Sequence, residues 1–172
     1  MKYIALLRGI NVGGNHMVEM IRLNTMFTAL GYSKVKTYLN SGNIVFESDQ
    51  RPDQESIIKK LYREFGFVIP TLIKSQKEMR EIVRSIPESW CNDTEQRTDV
   101  AYLFDSIDSD AIIDKLPVDR AFVDIRYTNG ALFWHVERKN VNKSKLIKLI
   151  GHAYYKYMTI RNINTARTLA II

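Results

Sequence analysis

Cysteine is nearly missing from this chain of 172 residues, which has Cys91 alone. No disulfide can close within the chain, and no cysteine metal cluster can form. Cys91 lies in ESWCND, polar on both sides, and reads as an incidental, partly exposed thiol. Long apolar runs are missing too, since none approaches the roughly 20 residues of a membrane helix. The leading MKYIALLR has only YIALL before its arginine, too short for a secretory h-region. No membrane partner and a cytoplasmic location are therefore expected. Acidic residues are absent from residues 138–172, which carry 8 Lys or Arg, whereas residues 87–137 carry 11 acidic and 4 basic residues. The basic tail suits an acidic partner, nucleic acid included. It also reads as a solvated face, through Lys143, Lys145 and Lys148, that balances the acidic middle.

What is present is a twofold pattern. KYIALL (2–7) reads as a strand that is apolar on both faces, followed by a polar loop over 8–18. Met20, Leu23, Met26, Phe27 and Leu30 recur at helical spacing up to Gly31. KVKTYL (34–39) and IVFES (44–48) flank NSGN as a hairpin. A helix follows Pro52, with Ile57, Ile58, Leu61, Tyr62 and Phe65 on its buried side. FVIPTLIK (67–74) reads as an edge strand because of Pro70, and a short helix covers 76–85. The stretch 86–97 is polar and without periodicity.

The order then repeats. DVAYLF (99–104) is a strand, SDAIIDKL (109–116) a short helix, and AFVDIRY (121–127) and ALFWHVE (131–137) flank Asn129-Gly130, a hairpin signal at which both positions tolerate positive φ. A helix is expected over 143–155, a strand over 157–161 and a closing helical turn or two through NTARTLAII. The predicted fold class is α+β, with two ferredoxin-like βαββαβ halves. Residues 1–86 form the first subdomain, 87–97 a linker, and 98–172 the second with its basic C-terminal segment.

In a βαββαβ unit the end of the first strand and the turn between strands two and three lie at one end of the sheet. Arg8, Asn11, Gly13 and Gly14 then share a rim with Asn40, Ser41 and Asn43. The side chains supply a fixed cation with amide donors and acceptors, and the glycines admit close backbone approach. That set suits an anionic or carbonyl-bearing small molecule. The same residues are also what tight turns need, and NSGN alone reads as a plain hairpin turn. Arg8 directly after an apolar strand favours a site.

Other chemistries fit badly. Gly9 and Gly14 have P-loop spacing, but Asn15-His16 stand where Lys and Ser or Thr belong. The dinucleotide glycine fingerprint is absent, so the cofactor is unassigned. His16, His135 and His152 are scattered, and no nucleophile triad follows from spacing. The aspartates of DSIDSD read as helix caps, with nothing spaced to complete an oxygen cage, so no metal site is expected. NIVFES lacks the aromatic alternation of an RNA-stacking sheet, which places nucleic-acid binding second to a small-molecule anion.

RGINVGG, YLNSGNIVF and the C-terminal TIRNINT together resemble the signature segments of the bacterial family called domain of unknown function 1697. The resemblance covers nearly the whole chain. It implies an α/β plait in two related halves, with no established activity and no catalytic residues to carry over. By motif position it adds Arg161, Asn162, Asn164 and Thr165 to the candidate ligand-binding residues. The family pattern implies an aromatic residue between the two asparagines; Ile163 stands there, which disfavours ring stacking. Read from the residues alone, Asn162 or Asn164 caps a helix, which leaves Arg161 unexplained. The expectation is a polar ligand site formed by the 8–14, 40–43 and 161–165 segments. An interaction protein with a basic surface is the alternative.

Overall fold

A computed structural model describes residues 1–14 and 16–172. The chain divides into two compact units, Met1–Glu78 with Ile172, and Met79–Ile171. The first unit runs β1 (Lys2–Leu7), α1 (Met20–Ala29), β2 (Ser33–Tyr38), β3 (Asn43–Glu47), α2 (Gln54–Phe65) and β4 (Thr71–Ser75). Its antiparallel sheet has the order β2-β3-β1-β4, the ferredoxin-like arrangement. Pro70 stands just before β4, and β4 is an edge strand, where a missing N–H leaves no ladder bond unmade.

The helices of this unit form where the sequence supplies both a stripe and stops. Leu23, Met26 and Phe27 are the buried side of α1, and Gly31 follows it at φ +87°. Asp53 caps α2 by accepting from the N–H groups of Glu55 and Ser56, and Gly66 ends it in a left-handed conformation. Ile57 and Leu61 are buried in α2, but Tyr62 is exposed, because the apolar stripe is narrower than the residue spacing suggests. Tyr3, Ala5 and Leu7 pack with these helices in one core cluster. Ile4 and Leu6, on the opposite face of β1, are fully buried as well.

The second unit holds most of α3 (Gln76–Arg84), then β5 (Gln96–Leu103), β6 (Asp124–Thr128), β7 (Ala131–Glu137), β8 (Met158–Asn162) and α4 (Ile163–Ile171). Its sheet order, β6-β7-β5-β8, repeats that of the first. Helix replacement separates the two units. Where a helix is expected over 109–116, a 3-10 turn covers Asp110–Lys115, with the Ser109 hydroxyl accepting from the Ala111 N–H. Where one is expected over 143–155, 3-10 turns cover only Leu146–Leu149 and Tyr155–Tyr157. Lys145 breaks that segment by standing in the left-handed region at φ +60°. The closing turn or two is a nine-residue helix, α4, whose Ile163, Ala166, Leu169 and Ala170 are buried. At the Asn129-Gly130 turn only Gly130 takes a positive φ, +83°. Among the described residues, no helix is long and apolar enough to cross a membrane.

Candidate functional site

The ladder of the first sheet continues past its strands and builds the rim. The Leu7 N–H donates to the Gly42 carbonyl at 2.8 Å, and the Arg8 N–H donates to the Pro70 carbonyl at 2.9 Å. Arg8 is therefore held between the β2–β3 hairpin and the entry to β4, with its side chain half-buried. Five residues of the two rim segments, Gly9, Asn11, Gly13, Gly14 and Gly42, occupy the left-handed region, as does Leu39 just before the second. For Leu39 that conformation is strained, and its side chain is turned outward, 55% exposed. Gly42 has no alternative, since a Cβ there would stand 2.7 Å from Leu7 Cβ and 2.8 Å from Ile10 Cδ1.

Asn11 ties the rim together. Its Nδ2 donates to the carbonyls of Val18 (3.0 Å) and Asn40 (2.9 Å), and its Oδ1 accepts from the Val18 N–H at 2.8 Å. The side chain thus pairs with Val18 as a backbone unit would, and fastens the 8–18 loop to the hairpin. Asn43 does the same inside the hairpin. It is fully buried, and its Nδ2 donates to the Tyr38 carbonyl (2.9 Å) and Ser41 Oγ (3.0 Å). The structure brings 8–14 and 40–43 together, with Gly13, Gly14, Asn40 and Ser41 exposed. Among the described residues, the Gly13 and Gly14 N–H groups donate to no partner.

The 161–165 segment belongs to the second unit. Arg161, 8% exposed, donates from Nη1 to Thr159 Oγ1 (3.0 Å) and to the Ile160 carbonyl (2.8 Å). Burial lowers its pKa to about 10, with the nearby Tyr102 opposing that shift. The Tyr102 ring is fully buried; burial pushes its hydroxyl up, and Arg161 counters this. Asn162 Oδ1 accepts from the buried Thr165 N–H at 2.9 Å and so caps α4. Asn164 is exposed, and its Nδ2 donates to the Asn92 carbonyl at 3.1 Å.

Asp108 has a role other than the helix cap that DSIDSD suggests. The second unit repeats the rim ladder, with the Leu103 N–H on the Gly130 carbonyl (3.0 Å) and the Phe104 N–H on the Tyr157 carbonyl (3.0 Å). There, Asp108 closes the corner. Its Oδ1 accepts from the Gly130 N–H at 3.0 Å and from the Tyr127 hydroxyl at 2.9 Å. Burial, and then this carboxylate, raise the Tyr127 pKa to about 12. The sequence signal was DSIDSD itself, but its capping pattern drew attention to the helix rather than to the turn opposite. Ser109 does cap, while Asp108 faces the hairpin. Among the described residues no group of three or more His, Cys, Asp or Glu is arranged to hold a metal.

The family model described as "Protein of unknown function (DUF1697)" matches residues 1–133. The chain is also similar to a solved structure, that of conserved bacterial protein SP0830 from Streptococcus pneumoniae, at 28% identity and a TM-score of 0.80, covering 98% of this chain and 96% of that one. No curated protein matches the chain.

Proposed function

We propose that this chain, which belongs to the DUF1697 family, binds a small anionic or amide-bearing ligand at the rim of its first unit. Arg8, the Gly13-Gly14 backbone, Asn40 and Ser41 contact the ligand in this reading, while Asn11 and Asn43 hold the two loops in place. One observation carries it. The second unit closes the equivalent corner with its own carboxylate, Asp108, whereas 8–14 and 40–43 contain no acidic residue. An external carboxylate or phosphate would occupy the role that Asp108 fills internally. A guanidinium and left-handed backbone amides are the groups that recognise such an anion. Arg161, Asn162, Asn164 and Thr165 enter the proposal as a second polar element of the chain, and Arg161→Gln, titrated with the same anions, reads its response.

The test is calorimetric titration with acetate and inorganic phosphate at low salt, on the wild type and on Arg8→Gln. Saturable binding of either anion, weakened by Arg8→Gln, supports the reading. Absence of binding by both, with tight and steeply salt-dependent binding of an oligonucleotide, would favour a basic nucleic-acid surface instead.

A further inference from the structure

The second unit has a groove between α3 and α4. We propose that it takes an amphipathic carboxylate, an acyl chain of medium length ending in a single anionic head. The cavity holds about 480 Å³, within the range of small-molecule pockets. Its wall is of two kinds. Val83, Ile86 and Ile171 give it an apolar floor, and Arg80, Arg84, Arg167 and Glu88 line the rest of it.

The three guanidinium groups are positioned differently, and that difference makes the site. Arg167 is half-buried and fixed, with its Nη2 donating to the carbonyls of Pro87 and Glu88 at 3.3 Å each. Its Nε and Nη1 donate to nothing among the described residues. Arg80 is anchored through Nε on the Ala170 carbonyl at 3.0 Å. The Arg84 side chain, in the last turn of α3, makes no hydrogen bond or ion pair among the described residues. Two guanidinium groups held by backbone carbonyls and one with no side-chain partner among the described residues line one groove, a set suited to a planar carboxylate.

The apolar part explains the chain attached to that head. Ile171 is 73% exposed at the edge of the groove, an isoleucine left in water on a helix whose other apolar side chains are buried. An acyl chain lying on Ile171, Val83 and Ile86 removes that surface from water. A bare inorganic anion would use only half of this wall, and a neutral alcohol only the other half. Glu88 sets the preference for a single negative charge over a phosphate dianion.

The site is independent of the rim, and the experiment keeps them apart. The full chain is titrated with decanoate below its micellar range, with 1-decanol and with inorganic phosphate, and followed by the methyl resonances of Val83, Ile86 and Ile171. The expected result is decanoate binding about tenfold tighter than 1-decanol, with those methyls shifting. Arg84→Gln, which removes a side chain with no partner to lose, is expected to weaken decanoate about threefold and leave 1-decanol unchanged. Ile171→Ser is expected to weaken both. Decanoate that binds no tighter than 1-decanol, decanoate binding unaffected by Arg84→Gln, or saturation without movement of the three methyls would each overturn the proposal.

Discussion

The two units carry the same ladder to the same corner and finish it differently. In the first, Leu7 bonds to Gly42 and Arg8 to Pro70; in the second, Leu103 bonds to Gly130 and Phe104 to Tyr157. The cation of one corner is a phenyl ring in the other. The first unit then spends eleven residues on a loop with glycines at 9, 13 and 14 before the buried stripe of α1 resumes. The second turns at once through Asp108, which bonds to the hairpin glycine. A duplicated fold has thus kept its hydrogen-bonded frame in both copies. One corner is closed by an internal carboxylate, and the segments of the other, 8–14 and 40–43, carry Arg8 and no acidic residue. Shared backbone geometry reports on stability, and the unshared side chains report on function.

The largest expected effect is at the frame of the first corner. Gly42→Ala places a methyl 2.7 Å from Leu7 Cβ, next to the backbone of β1, in a left-handed residue. A loss of about 2–4 kcal/mol is expected in denaturant unfolding, from overpacking and backbone strain together. Gly14→Ala has open space around it and only the φ of +78° to oppose it, so about 1 kcal/mol is expected. Equal losses at the two glycines would break the distinction between frame and presented loop. Next comes Asn11→Ala, which removes three hydrogen bonds that join the loop to the hairpin, for about 1–3 kcal/mol.

Asp108→Ala removes the carboxylate from the second corner and leaves the Gly130 N–H and the Tyr127 hydroxyl without it. A loss of about 1–2 kcal/mol is expected, and the Tyr127 hydroxyl, now near 12, should titrate closer to the ordinary tyrosine range, as ultraviolet absorbance reads directly. Acetate should restore part of the lost stability to this variant. If acetate restores nothing, the corner has no intrinsic use for a carboxylate, and the comparison loses its force.

The smallest effect concerns His135. Its ring stacks on Trp90 at 5.1 Å, its Nδ1 bonds to Thr98 Oγ1 at 3.1 Å, and Arg126 lies over the same Trp90 at 4.7 Å. Burial holds its pKa below the ordinary imidazole range, against the opposing pull of Asp124, Glu137 and Asp93. The unfolded chain therefore binds this proton more readily than the folded one. Stability should rise with pH through the window just below the unfolded value of about 6.5, by well under 1 kcal/mol for a partly exposed ring. His135→Gln should flatten that slope, and an unchanged slope would assign it to other groups.

The sheet frame was legible because it rests on patterns that single residues announce. Alternating or continuous apolar runs marked the strands, Pro70 marked an edge, and RGINVGG and YLNSGNIVF marked where strands end. The helices of the second unit were less legible. Residues 143–155 have helical spacing at Leu146 and Leu149, yet Lys145 turns left-handed, which no propensity for lysine records. The candidate site was legible as composition and not as roles. Asn11 and Asn43 looked like ligand groups, and their amides turn out to bond to the loops themselves, because an amide that matches backbone geometry serves a turn as well as a ligand. Asp108 reads as a helix cap, yet its neighbour Ser109 does the capping and Asp108 bonds to the hairpin instead.

Amide chemical shifts, followed while inorganic phosphate and acetate are titrated at low salt, test the central claim most directly. The account predicts saturable shifts at Gly13, Gly14, Asn40 and Ser41 in the first corner. It predicts none at Gly130 while Asp108 is in place, and new shifts at Gly130 in Asp108→Ala. Shifts at Gly130 in the wild type, or an unresponsive first corner at saturating anion, would contradict it.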